Sequence, residues 1–295
     1  MMDGAKTIGV ISPGEMGTVI ASLLRSRGAR VVTTLGGRGE RTANRCRDAG
    51  LILLDSVEAV VRESNVVISL VPPDAAGIVA ARYTELARLA PPGAIFVDAN
   101  SINPESVAAL AEKFQAAGVG FVDASINGLA KNLTNGGTLF LSGDRADEIA
   151  QLFGDAMRVK ILGAETGLAS AMKMLLGGIS KGICALFMEL AIVAQRNGLL
   201  AEMLEASASI YPGVSALTDR MIPTYAHHAA RRAVEMSELK SMTQAAGVEP
   251  CMVDAVQRLH EQLAAVSFDA MATDLTVATL IEQLADPLVI LSPRR

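Results

Sequence analysis

The chain has 295 residues, 51% of them hydrophobic, with 3% aromatic residues, no Trp and a net charge of −5. That apolar content is enough to bury the cores of two ordinary domains, and the wealth of Ala, Leu, Met and Gly favours helix over a large β-sandwich. Basic residues are scattered through an acidic protein, which argues against nucleic acid as a partner. Three distant cysteines, Cys46, Cys184 and Cys251, and three His offer no zinc set, so a reduced protein without structural metal is expected.

The start, MMDGAKTIGVI, lacks the basic, apolar and small-residue regions of a secretory signal, and no run of 18 apolar residues occurs. A cytoplasmic chain with no membrane partner is the expectation. Short β-like runs then alternate with helical stretches: KTIGVI, RVVTTL, LILL, NVVISLV, AIFVDA and VGFVDAS, with GTLFLSG and RVKILG able to extend the sheet at its edge. This rhythm predicts βαβ units, hence an α/β, Rossmann-type doubly wound sheet over residues 1–163.

Past Gly163 the period changes. Met172, Leu175, Leu176, Ile179, Ile183, Leu186, Phe187, Leu190 and Val193 recur at offsets of three and four, predicting one amphipathic helix of about 30 residues that stops at Asn197-Gly198. The rest reads helical, with breaks at YPGV, IPTY, GVEP and ADP, giving an all-α C-terminal domain over 164–295. Met236, Met242 and Met252 read as core filler. The long helix and the apolar segment MATDLTVATLIEQLADPLVIL exceed what a lone helical domain readily buries, so a homodimer formed through this half is expected.

The first strand–turn–helix, TIGVISPGEMGTVIASLLRSRG, carries the chemistry. It has the form of a dinucleotide-binding turn, G-x-G-x-x-G, in which Ser12 replaces the first glycine while Gly14 and Gly17 keep the second and third. Ser12 is tolerable there if its φ stays negative, and Pro13 removes only a donor that need not face phosphate. The helix start at Glu15, Met16 and Gly17 offers unpaired N–H groups to a pyrophosphate. At the end of the second strand, Thr34 and Leu35 stand where an NAD-selective acid belongs, and Arg38 and Arg41 follow. A guanidinium there suits a 2′-phosphate, so NADP is expected over NAD. The fourth strand turns at Pro72, which makes Leu70, Val71 and Pro72 candidate walls for the cofactor.

Four ordered blocks, covering most of residues 5–200, resemble the β-hydroxyacid dehydrogenases, the family that includes 6-phosphogluconate and 3-hydroxyisobutyrate dehydrogenases. ISPGEMG is similar to its G-x-G-x-M-G turn, VDANSINPES to its D-x-S-T-I-x-P segment, VDASINGLAKN to its D-A-P-V-S-G-G loop, and GLASAMKMLLGG to its G-x-x-x-x-x-K-x-x-x-N helix start. The stretch IPTYAHHAARRAVEMSELKSMTQAAGVEP is similar to a helical domain of unknown function found on some relatives of 6-phosphogluconate dehydrogenase. The resemblance implies an NAD(P)-dependent oxidoreductase acting on a hydroxy acid or related alcohol, with Lys173 as general acid/base. Burial would lower the lysine's pKa towards working pH. It also implies substrate contacts from Ser101, Asn127, Gly128 and Gly177, and a cofactor contact from Asn100.

Several positions depart from the family pattern. Gly177 replaces Asn, Asn127 replaces Ser, Leu129 replaces Gly, and Asn100 and Ser101 replace Ser and Thr. A roomier or more apolar pocket follows, and with it the alternative of an imine reductase of the same fold; a non-catalytic NADPH-binding sensor, which would keep the turn and not need the lysine, is a separate alternative. The cluster His227, His228, Arg231, Arg232 and Glu235 reads mainly as surface or interhelical pairing, with an arginine able to bind a substrate anion as the alternative.

Overall fold

The computed structural model describes residues 6–266 and 275–285. The first half runs β1 (Thr7–Ile11), α1 (Glu15–Ser26), β2 (Arg30–Thr34), α2 (Glu40–Asp48), β3 (Ile52–Leu54), α3 (Val57–Glu63), β4 (Val66–Ser69) and α4 (Pro73–Leu86). It continues through β5 (Ile95–Asp98), α5 (Pro104–Ala116), β6 (Gly120–Asn127), α6 (Leu133–Gly136), β7 (Thr138–Ser142), α7 (Ala146–Phe153) and β8 (Arg158–Gly163). Every strand-like run of the sequence forms a strand.

The eight strands form one sheet in the order β3-β2-β1-β4-β5-β6-β7-β8, parallel except where β7 pairs antiparallel with β6. Both faces of the central strands are buried, as helical crossovers on a parallel sheet require. The alternation is visible along β5: Ile95 and Val97 join Ile8, Val10, Ile68 and Leu141 on one face. Phe96 joins Val67, Tyr83, Phe114 and Phe121 on the other. Phe96 stacks on Phe114 at 4.5 Å and meets the edge of Tyr83 at 5.0 Å. Each such pair adds about 1 kcal/mol beyond area burial, so a chain poor in aromatics concentrates them where they anchor the sheet.

The second half is helical: α8 (Leu168–Arg196), α9 (Leu200–Ile210), α10 (Pro212–Met221), α11 (Tyr225–Ala245), α12 (Cys251–Ala264) and α13 (Val277–Ala285). Gly198, at φ +70°, follows α8 as its stop signal foretold. The ADP break and most of the flanks of the apolar segment 271–291 lie outside the described residues. The chain divides into two compact units between Lys173 and Met174, later than the change of pattern at Gly163, because residues 167–170 are hydrogen-bonded to β6.

The apolar residues that mark α8 in the sequence are largely exposed. Leu175, Ile179, Leu186, Leu190 and Val193 are each about half exposed or more. Of that set the helical core takes Phe187, together with Cys184, Met188, Ala191 and Ile192. α8 is apolar on most of its circumference, so its periodicity has too little contrast to tell one face from another. By length and composition alone it could cross a membrane, with a mean hydropathy of 1.7 over its most apolar stretch. Helices that form protein cores pass the same test. Met252, expected in the core, is 71% exposed, while Met236 is buried.

Candidate cofactor and active site

Strand order reverses between β1 and β4, and an open α/β sheet binds its ligand beyond the carboxyl ends of the strands at such a point. Ile11 pairs with Ser69 there, and Leu70 N donates to Ile11 O at 3.2 Å. The turn after β1 and the segment after β4 are therefore neighbours, which brings Ser12 to Gly17 beside Leu70, Val71 and Pro72.

Ser12 has φ +65°, against the negative value its side chain favours, and is the one non-glycine residue at positive φ among those described. The turn thus keeps the left-handed conformation that a glycine would supply, at about 1 kcal/mol for carrying a Cβ. Gly14 N donates to Ser12 O at 2.7 Å and closes the turn over Pro13.

The two retained glycines answer to different needs. A Cβ on Gly17 would lie 2.8 Å from Ser12 O, so the chain itself demands glycine at that position. A Cβ on Gly14 would meet nothing nearer than Ser12 O at 4.0 Å, and φ −69° suits any residue. Glycine at 14 leaves open space where a ligand would approach the backbone. Gly14 also caps α1 without any side-chain hydrogen bond, so the first-turn amides of Glu15, Met16 and Gly17 lack a capping side chain and face the end where an anion is favoured. Open backbone and uncapped helix start both fit a pyrophosphate.

Arg38 reaches this turn from the loop after β2, donating from Nη2 to Ser12 Oγ at 3.1 Å. Arg41 is exposed at the start of α2. Val71 is buried and Pro72 exposed. Asn100 is 2% exposed. Its Oδ1 accepts from Val71 N at 2.7 Å, and its Nδ2 donates to Asp98 Oδ2 at 3.1 Å and to Ser69 Oγ at 3.2 Å. The side chain is spent on holding the β4 and β5 loops together, and so fixes the backbone at Val71. Burial, opposed by the bonds from Asn100, pushes the Asp98 carboxyl up to about 6.

The residue that sequence reasoning passed over is Asp123 in β6, opposite Asp98 in the sheet. It is fully buried. Its Oδ2 accepts from Ser142 Oγ and from the backbone N of Gly167, Ala169 and Ser170, all at 3.0 Å, while Oδ1 accepts from Ser170 Oγ at 2.7 Å. Ser125 Oγ adds a bond to Ala169 O at 2.6 Å. A carboxylate at a helix N-terminus satisfies the orphan amides and the dipole together. The start of α8 is thereby fixed to β6, and Lys173, half-buried, follows within one turn of Ser170.

Ser101 is exposed just after Asn100, and Asn127 and Gly128 are exposed at the end of β6. Gly128 is required by the fold itself, since φ is +146° and a Cβ would lie 2.8 Å from Gly137 Cα. In the helical unit, His227, His228 and Arg231 are exposed. Arg232 is buried with its guanidinium 4.0 Å over the Tyr225 ring, and Glu235 pairs with Lys181 at 2.9 Å. Desolvation, aided by Arg231 and Arg232, lowers the His228 pKa. Among the described residues no three His, Cys, Asp or Glu side chains form a metal-sized group.

Residues 7–156 match the family described as the NAD binding domain of 6-phosphogluconate dehydrogenase, and residues 194–263 match a domain of unknown function, DUF1932. A conserved protein of unknown function, whose structure is described as similar to 3-hydroxyacid dehydrogenases, is 33% identical with a TM-score of 0.68, over 87% of this chain and 96% of that one. Mycobacterium tuberculosis 3-hydroxyisobutyrate dehydrogenase, solved with L-serine, superposes with a TM-score of 0.74 at 18% identity, over 95% and 99% of the two chains. An imine reductase from Myxococcus stipitatus in complex with NADP+ gives 0.59 at 20% identity, over 88% and 94%. A βαβ turn open to pyrophosphate, set at the switch point of a doubly wound sheet and matched across half the chain, places this protein in the family of the 6-phosphogluconate dehydrogenase NAD(P)-binding domain, with a hydroxyacid-dehydrogenase-like fold.

Proposed function

We propose that the protein is an NADP(H)-dependent oxidoreductase that moves hydride between nicotinamide and a hydroxy acid or related secondary alcohol, with Lys173 as general acid/base. The observation that carries this reading is the Asp123 cap, which fixes the backbone of α8 within a turn of Lys173. A proton shuttle must be held in one place relative to the reacting oxygen, and a helix start tied by a buried carboxylate meets that need.

When bound, the cofactor supplies or accepts the hydride. The uncapped amides of α1 and the bare backbone at Gly14 hold the pyrophosphate. Arg38, already beside Ser12, takes the 2′-phosphate, with Arg41 three residues further on as a second cation. Val71, set by Asn100, lines the wall, and Ser101, Asn127 and the Gly128 backbone orient substrate. Lys173 Nζ accepts the hydroxyl proton as the alcohol becomes a carbonyl, and returns it in the reverse direction.

Lys173→Ala should lower turnover of a hydroxy or oxo acid by about 10²–10⁴-fold while leaving NADPH affinity intact; unchanged turnover overturns the role. Arg38→Ala should weaken NADPH far more than NADH in a fluorescence titration. A second reading, reduction of imines, is supported by the fold shared with NADP+-bound imine reductase. Turnover of cyclic imines with no turnover of oxo acids would favour it.

We also propose a homodimer through the exposed face of α8. Ile179, Leu186 and Val193 repeat every seven residues, flanked by Leu175 and Leu190, the pattern of a helix-pairing seam. Light scattering that reports a 30.8 kDa particle at micromolar concentration would refute it.

A further inference from the structure

The helical unit holds a basic group that none of the motifs above singles out. Lys181 lies on α8 one turn beyond Gly177, and a Cβ on Gly177 would sit 3.1 Å from Lys181 Nζ. The ammonium therefore occupies the notch that a side chain at 177 would fill. Its side chain is only 11% exposed, and Glu235 Oε2 holds it at 2.9 Å. Close packing of α8 on α11 sets this pair: a Cβ on Gly178 would collide with Leu239, one turn beyond Glu235.

Further cations stand near the notch. Glu235 already shares its other oxygen with Arg231 at 3.6 Å. Arg232, 6% exposed, donates to Thr224 Oγ1 at 2.7 Å and has a buried Nη1 with no acceptor among the described residues. Lys181 and Arg231 thus share Glu235, and Arg232 adds a buried guanidinium that interacts with the same carboxylate electrostatically; such cations are complemented by an anion.

We propose that Lys181 is a specificity-determining residue whose ammonium, set beside Gly177, binds a carboxylate of the substrate. The assignment rests on the reading that the Lys173–Gly177 face of α8 meets substrate. It selects acids over neutral carbonyls or imines, because a mostly buried ammonium already paired once gains from a second carboxylate and nothing from an apolar group.

The test uses the full chain, titrated calorimetrically with malonate in the presence and absence of NADPH, with NADPH affinity measured separately. The wild type should bind malonate. Lys181→Met should weaken that binding about tenfold or more, and Lys181→Arg should retain most of it. Gly177→Ala should also weaken it, because its Cβ crowds the ammonium without removing the charge. Glu235→Gln should tighten it, since the ammonium loses a competing carboxylate, whereas a purely structural ion pair predicts lost thermal stability and no tightening. Equal malonate affinity in wild type and Lys181→Met, or no binding by the wild type in either state, overturns the proposal. Loss of NADPH binding by the wild type overturns the oxidoreductase reading instead, and the malonate series without cofactor still decides Lys181.

Discussion

Two helix starts in the sheet unit solve the same electrostatic problem in opposite ways. α8 begins on Asp123, whose buried carboxylate accepts five hydrogen bonds, three of them from backbone amides. α1 begins on Gly14 with no side-chain cap. Both ends carry orphan donors and a positive dipole. Where the acceptor is internal, the helix is fastened; where the chain supplies none, the end suits an anion from outside.

Removing the internal acceptor should have the largest effect. Asp123→Ala should destabilise the protein by about 3–5 kcal/mol, since it strands buried donors, and a large fall in the urea midpoint would show it. A small change would mean that α8 is held by its packing instead.

The glycines divide the comparison more finely. Gly17→Ala should lower both stability and NADPH affinity through its clash with Ser12 O. Gly14→Ala should leave the melting temperature nearly unchanged while weakening NADPH by about tenfold or more, because the added methyl points into space left for ligand. Equal stability losses would erase the distinction between a glycine needed by the chain and one needed by its ligand.

Asp98 offers a smaller, pH-dependent contrast with Asp123. Its folded-state pKa is raised to about 6, so the protonated form is the one that folding favours. The stabilising contribution is full below the unfolded carboxylate range and is lost as pH rises through about 6. The stability of wild type relative to Asp98→Asn should therefore fall between about pH 4 and pH 6 and level off above. A flat difference across that window would reject the shift. Smallest of all, Ser12→Gly should raise stability by up to about 1 kcal/mol by relieving positive φ, provided the lost Arg38 contact is the weak surface bond that its exposure implies.

Much of the fold was legible because strand and helix rhythms in the first half alternate cleanly, and β7 and β8 were visible as edge candidates. Ser12 was not: a residue type biases φ but does not set its sign, and here the requirement of the turn prevailed over the preference of the side chain. Which face of α8 is buried was not legible, because Leu175, Ile179 and Leu186 look no different in sequence from Phe187, Met188 and Ile192. Asp123 was inside a quoted block, yet its partners lie on β7 and at the start of α8, and periodicity carries no signal of that pairing. Lys181 was hidden for the same reason, since its carboxylate partner belongs to another helix. Asn100 was noticed as a possible cofactor contact, and its side chain proves to be engaged within the protein.

The Asp123 anchor also sets the smallest piece of this protein that should fold unaided. A fragment ending at Gly163 would leave that carboxylate buried with Ser142 as its remaining donor, and so should be recovered as an aggregate or a loose collapsed chain. One extended through Lys173 carries every donor with it, which makes the opening turn of the long helix a part of the sheet domain in thermodynamic terms, whatever the change of sequence pattern before it suggests.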